Sequence, residues 1–423
     1  MNGVFTQLAQ ETLDEIVDYV HTFGFHELAT CALIHPSFVP RSQLHLFSTI
    51  HIGGVRATKR RERIKEFRRI LKRKPYLVQF VKELRLSVAG TSTVWLTYDK
   101  DFIPLLNLLL DLGCAPRKLV IVKANTKWAP GIYDPNVFAK QMARLTPSVQ
   151  SLELGEIEGI PTSFIASCVN LDILVLRGSS FVCSEFTEDL PAEAFLLRPS
   201  IRQLIISGID KTFPDLFFAD DERQSSPILD VSELHTFKFS IGYDQKIVEM
   251  ASRVMCVANK NLESLFISFN WNQFANFLGK SSYKDINLRD FKSLRNLEVE
   301  VLTPVRYVVD ELAAAIETIP RGCPIESVKF HVGPHYPSRW TGLLMQEANW
   351  KRLDKAVAGI LTGSGVYFGF LLSCEERLKT PATEEKINIE EAAEEWERDA
   401  LDRMPRTASL TGVEVSFKLV QVD

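Results

Sequence analysis

No stretch of this 423-residue chain approaches the roughly 20 consecutive apolar residues that span a bilayer. The nearest, "FIPLLNLLLDLG" at 102–113, is short and carries Asn107 and Asp111. The opening residues are polar and acidic where a secretory leader would be basic and then apolar, so no leader and no membrane partner are expected. Cysteine is sparse: seven residues, at 31, 114, 168, 183, 256, 323 and 374, with no CxxC pair and an odd total. Asn-x-Ser/Thr sequons are missing too. Both absences point to a reducing cytoplasmic or nuclear compartment, with the thiols packing as small hydrophobes.

Signatures of catalysis are equally scarce. No glycine-rich phosphate loop follows an early strand. "FANFLGKSS" at 274–282 ends like one, but Phe274 stands where the first glycine is needed. There is no Gly-x-Ser-x-Gly elbow. The eight histidines are dispersed; His331 and His335 lie four apart, but Gly333 and Pro334 break the helix that would align them. The expectation is no catalytic residue, no metal site, no cofactor and no enzymatic activity. A net charge of −4 gives no global attraction to nucleic acid.

What is present, past residue 80, is one local pattern: an apolar residue, two variable ones, then apolar–x–apolar. It reads "VKELRL" (81–86), "PRKLVI" (116–121), "VQSLEL" (149–154), "LDILVL" (171–176), "IRQLII" (201–206), "LHTFKF" (234–239), "LESLFI" (262–267), "LRNLEV" (294–299) and "IESVKF" (325–330). The fourth residues fall at 84, 119, 152, 174, 204, 237, 265, 297 and 328, about 30 residues apart. Each block alternates like a short strand with one buried face. Helix-like stretches separate the blocks, among them "DKDFIPLLNLLLDLG", "DPNVFAKQMARL", "DQKIVEMASRVMCVANK" and "TPVRYVVDELAAAIETIP". One strand and one helix per repeat predict an α/β solenoid with a parallel sheet along one wall. This pattern resembles the leucine-rich repeat family in its longer, irregular form, over roughly 75–375.

In each block the apolar pair points inward, and the residues between point to the open face of the sheet. Arg85, Val120, Glu153, Val175, Arg177, Ile205, Lys238, Phe266, Glu298 and Lys329 are therefore the candidate substrate face. Its mixed charge suits a protein rather than a nucleic-acid backbone, which demands a positive stripe. Val120, Val175, Ile205 and Phe266 are expected to form an exposed apolar stripe.

The head of the chain, "TQLAQETLDEIVDYV" (6–20), is a short amphipathic helix. Leu13, Ile16, Val17 and Val20 make its apolar stripe, and acidic residues fill the other side. Two more helical segments follow, through "FHELATCALIH" and then from Pro36. Such a head is too small for a generous core and is expected to leave apolar surface for a partner. "LAQETLDEIVDYV…LATCALIHPSFVPRSQLHLFSTIHI" resembles an F-box, of the kind found in the F-box–repeat proteins abundant in mushroom-forming fungi. Leu8, Glu11, Leu13 and Ile16 match the first part of the family pattern; Leu33, Phe38 and "PRSQLHLF" match the second. Ala9 stands where the family has Pro, and His35 and Phe38 where Arg and Trp are commoner. The resemblance implies a substrate receptor of a Skp–cullin–F-box ubiquitin ligase. Its head would bind the Skp-family adaptor, and through it a cullin, by Leu8, Leu13, Ile16, Leu28, Leu33 and Phe38. The repeats would hold a protein substrate, and ubiquitin transfer would be left to other subunits. The alternative, which Ala9 favours, is a repeat scaffold for protein interaction with a degenerate F-box.

Residues 56–74, "RATKRRERIKEFRRILKRK", hold eleven Lys/Arg against two Glu. Ile64, Phe67 and Leu71 give them an amphipathic helix with a solvated basic face, and nuclear import is a secondary use. "RLKTPATEEKIN" (377–388) reads as a linker, "IEEAAEEWERDALDRM" (389–404) as an acidic helix and "GVEVSFKLV" (412–420) as a last strand. The expected organisation is a helical head at 1–55, repeats at 56–375 with a basic lead-in helix at 56–80, and a linker with a helix–strand cap at 376–423.

Overall fold

The computed structural model describes residues 8–53, 56–88, 93–123, 131–132, 134–182, 198–208, 216–217, 228–241, 245–269, 288–301, 308–332, 350–361, 366–375 and 389–422. The phosphate-loop-like 274–282, the His331–His335 pair beyond residue 332 and the linker at 377–388 lie outside them. The chain divides into two compact units, Met1–Pro199 and Ser200–Asp423.

The first unit opens with α1 (Gln10–His21), α2 (Phe25–Ile34) and α3 (Val39–Ser48). Leu13, Val17, Leu28, Cys31 and Phe38 close into a small core, with Val20 and Leu46 against its edge. Strand β1 (Thr49–Gly53) begins where α3 ends, so the sheet starts inside the stretch 1–55 expected to be head. The basic helix α4 (Ala57–Arg73) follows and buries Ile64 and Leu71. Then come β2 (Glu83–Val88), β3 (Lys118–Lys123), β4 (Ser151–Gly155), β5 (Ile160–Pro161), β6 (Ile173–Arg177) and β7 (Phe181–Val182). The sheet order is β1-β2-β3-β4-β6, and β5 pairs with β7 apart from it.

The second unit contains β8 (Gln203–Ser207), β9 (Thr236–Ile241), β10 (Ser264–Phe269), β11 (Asn296–Val301), β12 (Ser327–Val332), β13 (Val366–Glu375) and β14 (Val413–Val422), adjacent in that order. In each unit every strand pairing among the described residues is parallel. Parallel neighbours need a crossover. Helices Phe102–Asp111 and Pro135–Met142 serve in the first unit, and Gln245–Ala258, Val308–Glu317, Trp350–Ile360 and Ile389–Arg403 in the second. At Pro135 the start is dictated locally: Asp134 Oδ1 accepts from Val137 N at 3.1 Å and proline occupies the first turn.

The apolar–x–apolar blocks set the register. Ile50, Leu84, Leu119, Leu152 and Leu174 stand side by side in the first unit. Leu204, Phe237, Leu265, Leu297, Val328, Phe368 and Val415 do so in the second. All of these except Val415 are buried, each contributing about 1.5–3 kcal/mol of apolar transfer. The first residue of every block, from Val81 to Ile325, is buried as well.

The second residue of the block does backbone work. The carbonyls of Lys82, Arg117 and Gln150 each accept from two successive N–H groups at the next strand entry, at 2.8–3.0 Å. Those of Arg202, His235, Glu263 and Arg295 repeat the arrangement at 2.7–3.0 Å. Its side chain can vary because its backbone N–H and carbonyl make these bonds. That explains why position two carries no sequence signal while positions one, four and six do.

Candidate functional site

The head presents the first candidate surface. Of the six residues expected to face or support an adaptor, Leu13, Leu28 and Phe38 lie in the head's core, while Leu8 (42% exposed), Ile16 (38%) and Leu33 (88%) face solvent. Three apolar side chains at the surface of so small a body are joined by four that sequence inspection missed: Tyr19, Phe23, Phe25 and Ile34, each at least 60% exposed. The signal was available. Ile16 and Tyr19 fall at i and i+3 on α1, a second apolar edge beside the buried Leu13 and Val17, and Phe23 follows just past the helix end. The Tyr19 and Phe23 rings meet edge to face at 5.0 Å.

Polar contacts fix the angle of these helices. Asp18 on α1 accepts from Arg41 on α3 and lies 2.7 Å from His45 Nε2. The hydrogen bonds from Arg41 and His45 hold its carboxyl well below the usual carboxylate range. Ser37 N donates to His35 Nδ1 at 3.3 Å, capping the 3₁₀ turn Pro36–Phe38 between α2 and α3. Residue Ala9 offers α1 no side-chain cap.

The second candidate surface is the open face of the sheet, described unit by unit. In the first, Arg85, Val120, Glu153 and Val175 lie in one register row, with Arg177 at the end of the next. Val120 is fully buried and Val175 nearly so, which corrects the expectation of an exposed apolar stripe there. The physical reason is their context: Leu119–Val122 and Ile173–Leu176 are unbroken apolar runs, the pattern of strands covered on both faces. Arg177 is exposed and reaches Glu153 at 3.8 Å, and Arg85 lies 3.3 Å from Glu83. The first row begins with His51, whose pKa is lowered by burial and by the nearby charges of Arg85 and Arg63.

In the second unit Ile205, Lys238, Phe266, Glu298 and Lys329 form the corresponding row. Lys238 and Lys329 are exposed; Ile205, Phe266 and Glu298 are half-buried. The ammonium of Lys238 sits 6.0 Å from the centre of the Phe266 ring, and that of Lys329 sits 5.5 Å from the Tyr367 ring. Glu298 contacts His331 Nε2 at 2.9 Å. That contact, more than the neighbouring lysines, keeps its pKa below the ordinary value against the opposing effect of burial. The face is a mosaic of exposed charges and half-buried apolar groups.

Among the described residues no cluster of three or more His, Cys, Asp or Glu could hold a metal ion, and no helix is long and apolar enough to cross a membrane. No family model matches the chain, and no curated protein matches it.

Proposed function

We propose that the chain is the substrate-recognition subunit of a Skp–cullin–F-box ubiquitin ligase. The observation that carries this reading is the distribution of apolar residues in the head. Leu13, Val17, Leu28, Cys31 and Phe38 suffice for a core, yet Leu8, Ile16, Tyr19, Phe23, Phe25, Leu33 and Ile34 remain outside. Seven large apolar side chains left exposed on so small a body favour contact with another protein. In this reading α1 and α2 dock on a Skp-family adaptor, and through it on a cullin. The parallel strands then form a curved leucine-rich-repeat solenoid whose open face takes a protein substrate. No chemistry is asked of this chain, since transfer of ubiquitin belongs to other subunits.

The test is binding of a purified Skp-family adaptor to the full chain, wild type beside Leu33→Asp. A one-to-one complex with the wild type, lost in a variant whose circular dichroism and melting are unchanged, is the expected result. No complex at micromolar adaptor from a folded wild-type protein would overturn the ligase reading and leave a scaffold for protein interaction.

A further inference from the structure

The charge of this chain is segregated. The 19 residues 56–74 carry a surplus of nine positive charges, while the whole chain stands at −4, so the remainder is at −13 (−4 minus 9). The opposite extreme is 384–402, also 19 residues, with nine Asp/Glu against Lys386 and Arg398. Each extreme contributes a helix: α4 and Ile389–Arg403.

Within α4, Arg60 is buried with its guanidinium 4.7 Å above the Trp95 ring and 3.9 Å from Asp99. Arg61 pairs with Asp99, Lys65 with Asp101 and Arg69 with Glu66. Arg56, Lys59, Arg63, Lys72, Arg73 and Lys74 are exposed and pair with no carboxylate among the described residues. The last three complement the helix's own dipole. Arg56 and Lys59 do the opposite: they stand at the N-cap and in the first turn, which holds no acidic residue and where a helix disfavours cations, and Arg63 follows one turn on. On the acidic helix Glu394, Glu397, Asp399 and Asp402 are exposed and unpaired among the described residues. Asp402 stands in its last turn, where a helix disfavours anions, next to Arg403, and Asp399 lies just before that turn. Each helix thus keeps charges that work against its own stability, and the two mismatches are complementary.

We infer that α4 of one copy docks against Ile389–Arg403 of a second copy, antiparallel, so that Lys59 and Arg63 meet Asp399 and Asp402. The joint is heterologous: the two surfaces that meet are different, and it adds copies head to tail. A nucleic acid or an anionic membrane would use only the basic half and leave the acidic mismatch without a counterpart. The apolar side of α4 is already buried through Ile64 and Leu71, so a bilayer would gain no insertion.

Sedimentation velocity of the full chain at roughly 50 mM and about 500 mM salt tests this, since screening shortens the reach of exposed charges over that range. Concentration-dependent association at low salt, at least tenfold weaker at high salt, is expected. Lys59→Glu with Arg63→Glu should abolish it, as should Asp399→Lys with Asp402→Lys. An equimolar mixture of the two variants should restore association, because each then supplies the surface the other lacks. The mixture also guards against misfolding, since a misfolded variant restores nothing and circular dichroism identifies it. A wild type that stays monomeric at every salt and concentration overturns the inference, as does association indifferent to both reversals. So does a folded pair of variants that fails to associate on mixing. Duplex DNA or anionic vesicles bound through Lys59 and Arg63 by a protein that never self-associates would assign the basic helix to that partner instead.

Discussion

Arg41 holds Asp18 with two parallel hydrogen bonds, Nε to Oδ1 and Nη2 to Oδ2, both at 2.6 Å. They join the last helix of the head to its first across 23 residues of sequence. Both side chains keep about a third or more of their surface in solvent, so water screens the pair and its worth is about 1 kcal/mol. The carboxyl's pKa is depressed in the folded state. Its contribution is therefore complete above the unfolded value near about 4 and is lost as pH falls toward the folded value. Asp18→Asn should lower stability by about 1 kcal/mol at pH 7, and the difference from wild type should shrink below pH about 4. Urea melts of both proteins at the two pH values measure this.

Leu28 and Leu33 lie five residues apart on α2 with opposite fates, the first 1% and the second 88% exposed. Leu28→Ala should cost about 2–5 kcal/mol by thermal or urea unfolding, because it opens a cavity in a core of few residues. Leu33→Ala should change stability by less than about 0.5 kcal/mol and, under the proposed function, act on adaptor binding alone. Leu13 belongs with Leu28: Leu13→Asp would unfold the head, so its effect on binding would say nothing about contact.

Gly53 ends β1 opposite Ser87. A Cβ at residue 53 would lie 2.5 Å from Ser87 Cβ and 2.7 Å from Ser87 O, and backbone has little room to yield. Gly53→Ala should destabilise the first unit by about 1–3 kcal/mol. Hydrogen exchange should place the loss in β1 and the adjoining end of β2, with β3 and β4 unaffected.

Cysteine reactivity should follow burial. Cys114 and Cys168 are buried in apolar surroundings; desolvation pushes the Cys114 thiol up to about 11 and raises Cys168 further. Cys31 and Cys323 shift the same way, whereas Cys256 is exposed. Brief iodoacetamide treatment of the native protein, read by peptide mass, should label Cys256 and spare Cys31, Cys114, Cys168 and Cys323 until denaturant is added.

Much of the sheet could be read from the chain because strand alternation is local. Leu84, Leu119, Leu152 and Leu174 align in one unit, and Leu204, Phe237, Leu265, Leu297 and Val328 in the other, as the apolar–x–apolar blocks require. What escaped is partly local and partly tertiary. "FSTIHI" at 47–52 carries the same apolar–x–apolar block, but it lies inside the stretch that resembles an F-box and so reads as head. Trp350–Ile360 carries Trp350, Leu353, Val357 and Ile360 at helical spacing and was overlooked. On the face, Val120 and Val175 alternate correctly, but alternation says which side a residue points to, not whether that side is covered. In the head, periodicity places Ile16 with Leu13 and Val17, yet a helix stripe is wider than its buried part, and only packing decides which edge stays out.

Ser48 closes α3, Thr49 opens β1, and the Ser48 carbonyl accepts from Lys82 N at 2.8 Å, so the junction itself is bonded into the next strand entry. A strand whose side chains alternate can be displaced only in whole residues. One residue added between Ser48 and Thr49 would turn Ile50 and Ile52 from the buried side to the open side, and two would restore them. The head is therefore geared to the sheet like a toothed coupling, with permitted settings and forbidden ones between. Lineages of this chain should accumulate substitutions at that joint while shedding single-residue insertions.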